Sequence, residues 1–244
     1  MGTLATAAGV FFSAFGGGLV QATTGFGSGI VMMMFLPLFM SILEGSYLST
    51  VVTVFMTVSI VWRYRSHIRP RMVVMPGIFY LITSALGIRL AVTADVSRLK
   101  FWFGLFLVAV ACYFMFAANK IHLNPTPLAA FCCGSLAGLV SGLFGIGGPP
   151  IALYFISAIP QDKHAYLGTV QLFFTITCCY TTLLRTLNGI FKPSMLPMIA
   201  LGVAGILAGT FVGGRIVEKI NVEQMKKLIY IFLAICGVLT LLDV

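Results

Sequence analysis

Two glycine-rich stretches carry the residues best suited to chemistry. The first holds Gly25, Gly27 and Gly29, and the second holds Gly145, Gly147, Gly148, Pro149 and Pro150. Each interrupts a long apolar run, so each predicts a broken helix followed by a new helix N-terminus. Unpaired N–H groups and the positive end of the helix dipole at such a terminus attract anions. Gln21, Thr24, Ser28, Ser141 and Gln171 lie beside the stretches and add neutral hydrogen-bonding groups. The amide of Gln171 has two donors and an acceptor to place in apolar surroundings, and Gln21 shares that demand. Polar stripes run through the segments that follow: Ser46, Ser49, Thr50, Thr53 and Thr57 in one, and Gln171, Thr175, Cys178 and Thr182 in the other, at helical spacing. The same glycines and hydroxyls also suit close helix packing, which stands as the alternative reading.

Other chemistries find little support. Glu44, Asp95, Asp162, Glu218, Glu223 and Asp243 sit at segment ends, as do His67, His122 and His164. Nothing there predicts a buried proton relay, and no cluster has the spacing of a metal or haem site, so neither a metal nor a cofactor is expected. The cysteines, Cys112, Cys132, Cys133, Cys178, Cys179 and Cys236, fall in apolar stretches without a C-x-x-C pair and read as packing residues. Arg89 and Arg215 end equivalent segments; Arg215 stands three residues before Glu218, at ion-pair spacing.

The elements that position these residues must lie in a membrane. Of 244 residues, 59% are hydrophobic and 9% charged, with mean hydropathy +1.05, whereas soluble domains carry about 25% charged residues. The net charge of +9 belongs to short connections, where basic residues orient a membrane protein, and implies no nucleic-acid partner. The start of the chain lacks the basic region of a cleaved signal, so the first apolar segment is expected to be kept; the match of Gly2 to Thr6 to a myristoylation pattern reads as chance. Apolar runs fall at about 3–24, 29–43, 46–62, 72–92, 99–118, 126–144, 150–159, 165–184, 194–213 and 228–242. They do not alternate with period two, so the class is all-α.

The runs repeat. Gly18-Leu19-Val20-Gln21 returns as Gly138-Leu139-Val140-Ser141, and Tyr47-Leu48-Ser49-Thr50-Val51 returns as Tyr166-Leu167-Gly168-Thr169-Val170. Gly87-Ile88-Arg89 has its counterpart in Gly213-Gly214-Arg215. One polytopic domain built of two homologous halves, about 1–120 and 124–244, follows. The arms after the glycines, 29–43 and 150–159, are too short to cross ~30 Å of hydrocarbon comfortably. Each half therefore reads as a re-entrant hairpin, at about 3–43 and 126–160, plus three spans, giving eight to ten membrane segments. With inverted halves, one side collects ten basic residues (Arg63, Arg65, Arg69, Arg71, Lys120, Lys163, Arg215, Lys219, Lys226, Lys227) and the other five (Arg89, Arg98, Lys100, Arg185, Lys192). That asymmetry places both termini on the outer side.

The paired segments GLVQATTGFGSG and GLVSGLFGIGGPP, with the Tyr-Leu-x-Thr-Val and Gly-x-Arg matches, resemble the TauE/SafE sulfite-exporter family, also called toluene-sulfonate uptake permeases, over nearly the whole chain. The resemblance implies transport of sulfite or a small organosulfur anion such as sulfoacetate or isethionate across the bacterial inner membrane. A typical family motif is a run of glycines with a proline a few residues on; here the first reads GFGSG with Pro37 downstream, and the second ends in GGPP. The expectation is a secondary exporter working by alternating access, not an enzyme. Its partners are a small sulfur-containing anion, the lipid bilayer and a second copy in a homodimer, and Na⁺ or H⁺ is the expected coupling ion. A passive anion channel is the runner-up, ahead of a membrane-embedded enzyme. The substrate is expected to contact Gln21, Thr24, Gly25, Gly27, Ser28, Gly29, Ser141, Gly145, Gly147, Gly148, Pro149 and Gln171.

Overall fold

The computed structural model describes residues 3–112, 124–160 and 162–217, and among these every regular element is helical. The helices are α1 (Thr3–Thr24), α2 (Ser28–Phe35), α3 (Ile42–Tyr64), α4 (Arg71–Thr93), α5 (Val96–Cys112), α6 (Pro127–Phe144), α7 (Gly148–Ala158), α8 (Lys163–Leu187) and α9 (Leu196–Val217). Six of them, α1, α3, α4, α6, α8 and α9, are long and apolar enough to cross a membrane. Their outward faces carry bare apolar side chains such as Phe12, Trp62, Ile82, Leu90, Leu136 and Phe211, as lipid contact requires. The last apolar run, at 228–242, and the second half's end lie outside the described residues, as does Gly2.

The breaks fall at the glycines. Gly25 adopts φ 84° and returns its N–H to Gln21 O at 2.8 Å, closing α1, and Gly27 at φ 110° starts α2. Gly145 closes α6 in the same way, with φ 77° and its N–H on Ser141 O at 2.8 Å. These backbone angles are open to glycine at little cost and cost an L side chain roughly 1–2 kcal/mol. Pro149 and Pro150 then occupy the first turn of α7, where a missing N–H does no harm. The second arms are short: α2 has 8 residues and α7 has 11, or about 12 and 16 Å at 1.5 Å per residue. The arm expected at 29–43 is shorter still than its apolar run suggests, because Leu36–Leu38 turns into a 3₁₀ segment and α3 begins early at Ile42. There Ser41 and Glu44 cap each other's backbone N–H, a capping box that places Glu44 in the first turn of α3.

Two seams of glycine on backbone hold the bundle. Along α1 and α9, Gly205, Gly209 and Gly213 face the carbonyls of Phe11, Phe15 and Leu19. Along α4 and α6, Gly134, Gly138 and Gly142 face those of Pro76, Tyr80 and Ser84. Both pairs run parallel, since residue numbers rise together along each seam. The central pair, α3 and α8, runs antiparallel: Tyr47 bonds Thr186 at 3.1 Å near one end, and Tyr64 stacks on His164 at 5.4 Å near the other.

Candidate binding site at the helix breaks

The two breaks touch. A Cβ on Gly29 would lie 2.8 Å from Gly145 O, and one on Gly148 would lie 3.2 Å from Phe26 Cβ. Glycine therefore serves close packing here as well as chain reversal. Thr53, midway along α3, shares a 3.1 Å hydrogen bond with Ser28 at the start of α2, so the junction sits at mid-height of the central helix.

A cavity of about 430 Å³, its mouth included, opens beside the junction. Of the expected contact residues, Gln21, Gly27, Ser28, Gly29, Ser141, Gly145, Gly147 and Gly148 line it. Ser49, Thr50 and Thr53 of α3 and Cys178 of α8 join them from the polar stripes, and Tyr80, Phe174, Ile30 and Ile146 complete the wall. The first turn of α2 presents the N–H groups of Gly29 and Ile30, which precede the first intrahelical donor, Val31. The first turn of α7 has less to give. Pro149 and Pro150 carry no N–H, so Gly148 alone donates from the first three positions.

Thr24, Gly25, Pro149 and Gln171 stand behind the wall rather than in it. Thr24 Oγ1 donates to Phe26 O at 2.5 Å, while Thr24 O accepts from the buried Tyr166 hydroxyl at 3.0 Å. Gln171 ties α8 to the first break: its Nε2 donates to Gly25 O at 2.8 Å and its Oε1 accepts from Gln21 Nε2 at 3.0 Å. Gln21 Oε1 in turn accepts the Ser28 N–H at 3.1 Å and the Ser28 hydroxyl. Both buried amides are thereby satisfied, and the chain of bonds fixes the start of α2 against α8.

Arg185 is the residue that reading the sequence misses. The charge count sets it among the connection residues of one face, yet it lies in the last turn of α8 with 1% of its surface exposed. One guanidinium nitrogen donates to Ser46 O at 2.8 Å and Thr50 Oγ1 at 2.7 Å. The other donates to Ser141 O at 2.7 Å and Gly142 O at 3.2 Å, the carbonyl end of α6. All four acceptors are neutral, and Thr50 and Ser141 are themselves cavity wall.

A family model described as Sulfite exporter TauE/SafE matches residues 10–240. The chain belongs to the TauE/SafE sulfite exporter family. Members of this family are membrane exporters, not enzymes, and this chain is accordingly a multi-pass membrane transporter. A protein of Cupriavidus necator named "Probable sulfite/organosulfonate exporter TauE" is 27% identical to it over 212 residues, covering 80% of this chain and 78% of that one. No solved structure matches. The reading of the cysteines also changes in this TauE/SafE chain. Cys133 is buried and Cys178 lines the cavity, but Cys132 and Cys179 face outward, so packing does not describe all the cysteines; the side chains of Cys112 and Cys236 lie outside the described residues. Arg89 is exposed, and Arg215 lies 4.3 Å over the Phe211 ring, while Glu218 falls outside the described residues.

Proposed function

We propose that this TauE/SafE protein exports sulfite or a small organosulfur anion across the bacterial inner membrane, binding it in the cavity where the two helix breaks meet. The carrying observation is that junction: two glycine-broken helices from the two halves abut beside one small, polar-walled space. A sulfonate or sulfite oxyanion offers three oxygens. The N–H groups of Gly29, Ile30 and Gly148 and the hydroxyls of Ser49, Thr53 and Ser141 are suited to them.

The transport mechanism is alternating access between inverted halves, 1–120 and 124–244, with both termini outside. Two features support inversion. The equivalent helices α3 and α8 run antiparallel. The parallel α1–α9 seam has its counterpart in the parallel α4–α6 seam, with Gly18 on Ile206 O matching Gly138 on Tyr80 O. A site shared between two such repeats is the arrangement that rocking of one half against the other exposes alternately. Coupling falls to Na⁺ or H⁺ without a carboxylate in the cavity wall.

A binding screen of the purified protein tests the site. Sulfite, sulfoacetate and isethionate are expected to bind more tightly than matched carboxylates, and Ser49→Leu, which fills the cavity, is expected to abolish binding in folded protein. Unchanged affinity in Ser49→Leu would place the site elsewhere. Counter-flow in proteoliposomes separates a carrier, which shows trans-stimulation, from a passive channel, which does not.

A further inference from the structure

We propose that Arg185 is the fixed counter-charge of the anion site and sets its preference for anions over neutral molecules of the same shape. The inference rests on the cavity being an anion site and names the group that makes it one. Arg185 is the sole charged member of the buried set among the described residues. Burying a guanidinium costs several kcal/mol even when it is hydrogen-bonded, and its four neutral acceptors, Ser46 O, Thr50 Oγ1, Ser141 O and Gly142 O, leave the unit charge uncompensated. That charge sits directly behind Thr50 and Ser141, which line the cavity, so its field enters the cavity through a single layer of wall.

The competing role is architectural, because Arg185 also closes the carbonyl end of α6, where a cation is favourable. The other half argues that closure does not require it. In the register that aligns Tyr47 with Tyr166, the position equivalent to Arg185 is Ser66, an exposed residue in the turn after α3. The α1 break is closed by the Gly25 N–H on Gln21 O, and among the described residues no buried cation serves it. The duplicated architecture thus makes the same kind of helix break with and without a buried arginine. Arginine suits the task better than lysine, since its planar fork reaches two helices at once and keeps its proton when buried. Its place is also set by periodicity: Gln171, Cys178 and Arg185 are seven residues apart on α8, which puts Arg185 on the same helical face as the cavity-lining Cys178.

Calorimetry on monodisperse protein with sulfite, methanesulfonate and the neutral methanesulfonamide tests this. At an effective dielectric constant of about 20, a unit charge on the order of 8 Å from any anion is worth about thirtyfold in affinity. Arg185→Gln and the volume-matched Arg185→Met are expected to weaken both anions by about that factor and leave methanesulfonamide unchanged. Arg185→Lys should keep most of the anion affinity. Equal losses for charged and neutral ligands, or anion affinity unchanged in Arg185→Gln, would overturn the proposal. So would failure of both charge-free variants to fold, which assigns the residue to architecture. Wild-type protein that takes up neither anion would instead defeat the reading of the cavity, a different result from any of these.

Discussion

At the scale of single residues, the site is an arrangement of buried amides whose demand for partners is plain from the amino-acid sequence itself. Gln171 must find two donors' worth of acceptors in an apolar segment, and it finds Gly25 O and, through its own oxygen, Gln21. What spacing does not show is that these bonds hold Gln171 behind the cavity wall and make Gln21 the member of the pair that lines it. Gln171→Ala should therefore act first on stability. It leaves the Gly25 carbonyl and one Gln21 N–H buried without partners, at about 1–3 kcal/mol for each unsatisfied group, so the melting temperature in detergent should drop clearly. Anion affinity should fall further in Gln21→Ala than in Gln171→Ala, measured by calorimetry on the folded fractions; the reverse order would put Gln171 in direct contact with substrate. Arg185 escapes notice for a related reason. The apolar run at 165–184 stops one residue short of it, so it is counted with the connections. The signal that could find it is its heptad spacing from Gln171 and Cys178.

Helix by helix, glycine does two jobs that a sequence does not distinguish. The positions of both breaks are legible because proline and clustered glycine interrupt hydrophobic runs. Gly18, Gly87, Gly138 and Gly213 are legible only as repeat markers, because their role depends on which helix lies opposite. In the structure they are seam residues, each with another helix's backbone against its bare Cα. Gly138→Ala should push α4 from α6 and destabilise the protein by about 1–3 kcal/mol, the usual cost of overpacking. Gly77, on the same α4, has nothing within 4 Å of the place a methyl would take, and Gly77→Ala should stabilise by about 0.5–1 kcal/mol through helix propensity alone. Thermal unfolding of the two variants side by side checks the contrast. By the same logic, valine at Gly147, where a Cβ would meet Ala137 O at 2.8 Å, should cost folded protein before it costs affinity. Asp162 shows a pH effect at this scale. Its Oδ1 accepts the Ala165 N–H at 2.9 Å, and chiefly that bond lowers its pKa. The cap at the start of α8 is therefore present above the ordinary aspartate range and lost as the pH falls through the lowered value. Asp162→Asn should remove this acid-side loss from a plot of melting temperature against pH.

Taken whole, the molecule has two differently charged ends. Arg69 lies 4.0 Å from Asp162, joining the α3–α4 and α7–α8 connections at one end, and Lys192 lies 2.7 Å from Glu44 at the other. A Cβ on Gly214 would meet Arg63 at 2.8 Å, which adds the end of α9 to the first group. The basic-rich end thus gathers Arg63, Arg65, Arg69, Arg71, Lys163 and Arg215. Removing the buried Arg185 from the opposite tally sharpens that contrast, because a charge enclosed by protein exerts no pull on the orientation of a loop. The basic-rich end should face the cytoplasm. Single cysteines at Ser66 and Lys192, in a background where the native cysteines are replaced by alanine, give the direct measurement with a membrane-impermeant thiol reagent on intact cells. Cysteine at Lys192 should react from outside and cysteine at Ser66 only after the membrane is opened. Reaction of Ser66→Cys on intact cells would reverse the orientation.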